Sequence, residues 1–194
     1  MSAAAPSAAA TVMAVAERKP TIELSMAELR AVTGYAVACA EPALVLFERA
    51  RPDDRRPHIA IEAARRFAEG AARTKKLRDG AWAAQRAYQQ ARDQGRLAAG
   101  EAARAAVAAA GAAFLHPLAK ATQVLHILGS AAHAAYAFEL DAGDPDAGIA
   151  YLEQTRKLAT ATVVDVLARY PIAPSGRGRM GALARTLDTA LRQP

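Results

Sequence analysis

A chain of 194 residues is long enough for one domain that buries roughly 70% of its unfolded surface without help from disulfides. Its 53% hydrophobic content is carried largely by alanine and its aromatics reach only 5%, which excludes a β-rich fold and sets an all-α class. A net charge of +6 points to anionic partners, and one cysteine, Cys39, excludes a disulfide framework and suits a reducing, cytoplasmic setting.

Residues 1–22 read as a disordered Ala/Ser-rich tail, with no Lys or Arg ahead of its weakly apolar run and so no secretory leader pattern. An all-helical domain is expected over 23–194. Ser25 followed by Glu28 is a capping box that starts a helix to about Ala40, with Cys39 a buried, inert thiol within it. Glu41-Pro42 breaks that helix and restarts it, with Leu44, Leu46 and Phe47 inward. A polar loop from Arg51 to Pro57 leads to a helix over about 58–69 that Gly70 caps.

Leu77, Ala81, Ala84, Tyr88 and Ala91 recur at three- and four-residue steps, one face of a helix over about 72–94 that Gly95 ends. A further helix spans about 97–115. Pro117 then fits the first position of a helix over about 117–140. Gly143-Asp144-Pro145 is a turn and cap opening a helix to about Leu158. Another starts at Thr160 or Thr162 and ends at Tyr170-Pro171. Met180, Leu183, Leu187 and Leu191 align on a last amphipathic helix. These segments predict a single-domain bundle of about seven to nine helices.

Two stretches differ from the rest. No Lys, Arg, Asp or Glu lies between Arg104 and Lys120, nor between Lys120 and Glu139. A helix with a solvated face carries charge there, so these two Ala-rich helices should be the central ones, and Gly111 should sit in a close helix contact. A membrane hairpin is the rival reading, which the polar residues and two histidines of the second stretch disfavour. On that second helix Thr122, Gln123, His126, Ser130 and His133 share one sector, with Gln123 placed to orient the His126 ring. The stripe is either a satisfied buried network or the wall of a pocket, to which His116 and Glu41 could contribute.

Metal binding is not expected. His126 and His133 stand about 10 Å apart along a helix, beyond the span of one ion, and no paired Cys/His motif is present. No cofactor loop or nucleophile motif occurs, and Gly176-Arg177-Gly178-Arg179 reads as a flexible linker.

Positive charge concentrates from Arg49 to Asp79, where ten Lys/Arg meet five Asp/Glu. That face is either solvated, with i,i+4 pairs such as Glu62–Arg66 and Arg65–Glu69, or a contact surface made by Arg51, Asp53, Arg55, Arg56, Arg73, Lys75, Lys76 and Arg78. Trp82 and Tyr88 point to separate helix faces, so the aromatic interleaving of a single-strand nucleic-acid binder is missing and nucleic acid is not the expected partner.

The strings Ala40-Glu41-Pro42, Leu46-Phe47-Glu48, Pro52-Asp53-Asp54-Arg55-Arg56-Pro57, Ala60-Ile61-Glu62-Ala63, Phe67-Ala68 and Lys76-Leu77-Arg78, with Ala102-Ala103-Arg104-Ala105-Ala106 and His116…Gln123…His126-Ile127-Leu128-Gly129, resemble a bacterial immunity-protein group. Its helical domain is likened to the fifth class of polymorphic-toxin immunity proteins, and the likeness covers about residues 24–170. The resemblance implies an all-α cytoplasmic protein that neutralises a toxin or effector by binding it, and it brings no catalytic motif. The leading expectation is therefore a binding protein whose partner is a protein toxin, acidic if the basic face is the contact. The alternative is a small-molecule-binding protein or enzyme of specialised metabolism using a pocket around His126. The oligomeric state is left open.

Overall fold

Ser25 opens the first helix as its spacing to Glu28 predicts. Its hydroxyl accepts from the Glu28 N–H at 3.2 Å, and the Glu28 carboxylate accepts from the Ser25 N–H at 2.7 Å. The computed structural model describes residues 20–176 and 178–193, and from this cap α1 runs over Met26–Ala40. Pro42, which lacks an N–H, tightens the chain into a 3₁₀ turn over Glu41–Ala43 before α2 (Leu44–Ala50), which buries Leu44, Leu46 and Phe47.

The loop after α2 is shorter than expected. α3 starts at Arg56 with Pro57 in its first turn and runs over Arg56–Ala68, because Asp54 accepts from the Arg56 N–H at 3.2 Å and begins the helix two residues early. Gly70, at φ +117°, closes α3: its N–H reaches the Phe67 carbonyl and the Ala71 N–H reaches that of Arg66. α4 (Lys75–Asp93) packs back on α3 where Gly80 faces Ala60, and Gly95, at φ +71°, ends it in the same way.

α5 (Leu97–Ala112) and α6 (Val124–Ala142) form the centre, as their missing charges imply. α5 packs against α1, α2, α3, α4 and α6, and α6 also against α1, α7 (Pro145–Leu158) and α9 (Arg179–Arg192). With alanine at most contact positions the helix axes can approach closely. The short α8 (Ala161–Ala168), capped by Thr160, lies on α1. Among the described residues there are nine α-helices and no strand.

Two expectations on boundaries are corrected here. α6 does not begin at Pro117. Residues 117–119 are extended and bonded to 20–22, with Ile22 N–H on the Pro117 carbonyl at 2.7 Å and Ala119 N–H on the Pro20 carbonyl at 3.0 Å. This bridge removes Pro117 from helical geometry, and a 3₁₀ turn over Ala121–Gln123 starts the helix instead. The same bonds fasten residues 20–22, which composition assigns to the tail; residues 1–19 lie outside the described residues.

The stretch with the length and apolarity of a membrane span is not the one weighed from the sequence. Met26–Ala50 is the one described helical rod long and apolar enough to cross a membrane, and most of it is buried against the bundle, as a core helix would be.

The carboxyl-terminal arginines act internally. Arg192 gives Nη2 to the Leu167 carbonyl and Nη1 to that of Tyr170, satisfying the end of α8, while Arg185 bonds the Pro174 and Gly176 carbonyls and Arg179 pairs with Glu139 at 2.7 Å. Arg177 lies outside the described residues.

Candidate functional site

α5 and α6 run antiparallel, with Glu101 opposite His133, Ala108 opposite Gly129 and Gly111 opposite His126. Because Gly129 and Ala108 have little or no side chain, their seam leaves a solvent-open groove of about 320 Å³. Thr122, Leu125, His126, Gly129 and His133 line it from α6, Arg104, Val107, Ala108 and Gly111 from α5, and Met180 from α9. His126 Nδ1 donates to the Gly111 carbonyl at 2.9 Å, which fixes the tautomer and leaves Nε2 bare. His133 Nδ1 meets the Glu101 carboxylate at 2.6 Å, both side chains mostly buried. Arg104 reaches Gln85 and lies over the Tyr88 ring at 5.6 Å.

The polar stripe is thus divided. Thr122, His126 and His133 share the groove. Ser130 does not: it is buried and donates to the Ala36 carbonyl of α1. Gln123 does not orient His126, since its side-chain oxygen accepts from the His116 N–H at 2.9 Å and its role is to close the connector. His116 is exposed, and its carbonyl accepts from Tyr170. Glu41 lies apart from the groove and pairs with Arg65. Arg104 was not foreseen as a groove residue, nor Glu101 as the partner of His133, although Glu101 is the lone carboxylate of its helix. Among the described residues no three His, Cys, Asp or Glu side chains gather as a metal would need. Cys39 is fully enclosed, and burial pushes its thiol up to about 12.

On the outer layer, α3 and α4, the expected i,i+4 pairs do not form. Glu62 pairs with His58 and Arg65 with Glu41, which leaves Arg66 without an ion pair among the described residues. The basic residues expected to meet a partner separate into two sets. Arg51 bonds Gln94 at 2.8 Å, Arg56 is forked on Asp54, Arg73 bonds the Ala113 carbonyl at 3.0 Å and lies over Phe114, and Lys75 pairs with Asp79. The Arg56 guanidinium holds the Asp54 carboxyl below its ordinary range.

Arg55, Lys76 and Arg78 are exposed and have no ion pair or side-chain hydrogen bond among the described residues, and Asp53 is exposed beside Arg55. Arg78, Trp82 and Arg86 follow one another at four-residue steps on α4, opposite its buried Leu77, Gly80, Ala84 and Ala87, and Trp82 is 62% exposed. Ile59, 51% exposed, sits with Arg66 and Lys76 on a second groove, of about 300 Å³, between α3 and α4. Trp82, Arg66 and Arg86 were missed as a surface, although the spacing of Arg78, Trp82 and Arg86 is legible in the sequence.

The described residues thus form an all-helical bundle with a cationic, tryptophan-bearing outer layer and a groove along its central seam. Residues 23–161 match the family described as "Imm-5 like putative immunity protein". The chain belongs to that family, as its resemblance implies. No curated protein and no solved structure matches the chain.

Proposed function

We propose that this protein neutralises a bacterial toxin by direct contact, through the outer face of α3 and α4. The observation that carries the reading is the Arg78–Trp82–Arg86 stripe: a large aromatic residue left in water between two exposed guanidinium groups. Tryptophan and arginine dominate the energetics of protein contacts, and α4 offers both at one-turn spacing. Arg55, Arg66 and Lys76 extend positive charge across the layer, which fits a partner with an acidic surface and would steer its approach. Family membership supports an immunity role, and a cytoplasmic site of action fits the free, enclosed Cys39.

The direct test is protection. Cells expressing a toxin encoded beside this gene should survive when the chain is co-expressed and die when it carries Arg78→Glu, Trp82→Ala and Arg86→Glu together. Protection by that triple variant at equal abundance would reject this face as the contact.

A further inference from the structure

The toxin-binding reading does not use the groove on the α5–α6 seam, which lies along different helices from the α4 stripe. A buried structural network satisfies both nitrogens of its histidines. Here each ring is held by Nδ1, His126 on the Gly111 carbonyl and His133 on Glu101, and each Nε2 has no partner among the described residues. Arg104 uses Nη1 on Gln85, and its other N–H groups are likewise unpaired there. These groups line one groove that contains no carboxylate, since Glu101 stands behind His133 and is not part of the wall.

We propose that this groove is a binding site for a small, elongated organic carboxylate. Three features define the ligand. Its charge is negative, because the wall carries the permanent cation of Arg104 and no carboxylate, with the His126 and His133 rings beside it. Its length is near 10 Å, because His126 and His133 are seven residues, or about 10 Å, apart along α6. Its middle is apolar, because Ala108 and Gly129 form the floor between the two histidines and Val107, Leu125 and Met180 the sides. A volume of about 320 Å³ suits one such molecule. The carboxylate sits at the Arg104–His133 end, where the hydrogen-bond donors are, and the other end meets His126 and Thr122. A fully ionised phosphate fits less well, since it has no hydrocarbon to cover the floor.

The experiment is an NMR titration of the full chain, following the histidine side-chain nitrogens. Octanoate and 4-phenylbutyrate are the probes, and octanamide is the neutral control. At least one carboxylate should shift the His126 and His133 signals saturably and bind on the order of tenfold more tightly than octanamide. Arg104→Gln and His133→Gln should each weaken binding by a similar factor. Gly111→Leu, whose new side chain begins 3.7 Å from His126 Nδ1 and fills that end, should abolish it. Lys157→Gln, an equal charge change on the exposed face of α7, should leave it unaltered. The proposal is overturned if neither carboxylate saturates, if octanamide binds as tightly, or if the folded Arg104 and His133 variants bind like the parent.

Discussion

Asp188 and Arg192 stand one turn apart on α9, joined at 2.8 Å, with the Asp188 side chain only 4% exposed. The other Asp188 oxygen accepts from the Ala173 N–H at 2.9 Å, and Arg192 spreads over the carbonyls that end α8. A buried carboxylate and a partly buried guanidinium therefore hold the 169–176 segment to the bundle. Removing one leaves its partner uncompensated, so Asp188→Ala should cost about 3–5 kcal/mol in a urea unfolding experiment. A loss of under about 1 kcal/mol, the range of an exposed pair, would contradict this.

Glycine substitutions should rank differently from the order the sequence suggests. There Gly111 is expected in a close helix contact, but a Cβ added to it meets only His126 Nδ1 at an ordinary 3.7 Å. Gly111→Ala should be neutral or stabilise by up to about 1 kcal/mol through helix propensity. Gly95→Ala should cost about 1 kcal/mol, because φ is +71° there. Of these helix contacts the close approach between α6 and α7 is at Gly148, where a Cβ would lie 2.9 Å from Glu139 Oε2 and 3.1 Å from the Ala135 carbonyl oxygen. Gly148→Ala should lose about 1–3 kcal/mol. Thermal melts that rank Gly111→Ala as the worst of the three would overturn the packing described for α6 and α7.

Acid should loosen the amino-terminal cap. The Arg169 guanidinium, 2.6 Å from Glu28, and the N–H and hydroxyl of Ser25 hold the Glu28 carboxyl at about 2 in place of an ordinary 4.5. The folded state thus releases this proton more readily than the unfolded chain. The stabilisation is complete above pH about 4.5 and declines as pH falls towards about 2. The melting temperature of the parent should exceed that of Glu28→Gln at pH 6, and the gap should narrow below pH about 4.5. A gap that stays constant down to pH 3 would show that the carboxylate carries no linkage.

What was legible in the sequence was mostly local. The Ser25–Glu28 box, the Gly143-Asp144-Pro145 turn and the Met180–Leu191 stripe are fixed by neighbours within one or two turns, and all three form. The absence of charge from 105–119 and from 121–138 located the centre, because only covered helices dispense with a charged face. Partners distant in sequence were not legible. Pro117 carries a local helix-start signal that bonds to residues 20–22 override. Arg65 has Glu69 available one turn on but pairs with Glu41, 24 residues away, instead. A helical wheel put His126, Ser130 and Gln123 in one sector. It could not show that three different segments face them: the end of α5, α1, and the connector at His116.

The central claim, contact through a cationic stripe around Trp82, is tested most directly by association kinetics with a toxin against which co-expression of this chain protects. Binding of the parent chain should slow steeply as salt rises, through screening of the exposed arginines. Arg66→Glu, Arg78→Glu and Arg86→Glu combined should lower the association rate at low salt by on the order of tenfold or more and flatten the salt dependence. Trp82→Ala should act mainly on dissociation and cost about 2 kcal/mol or more of affinity. A toxin that associates equally fast with the parent and the triple variant, at low and at high salt, would contradict the account.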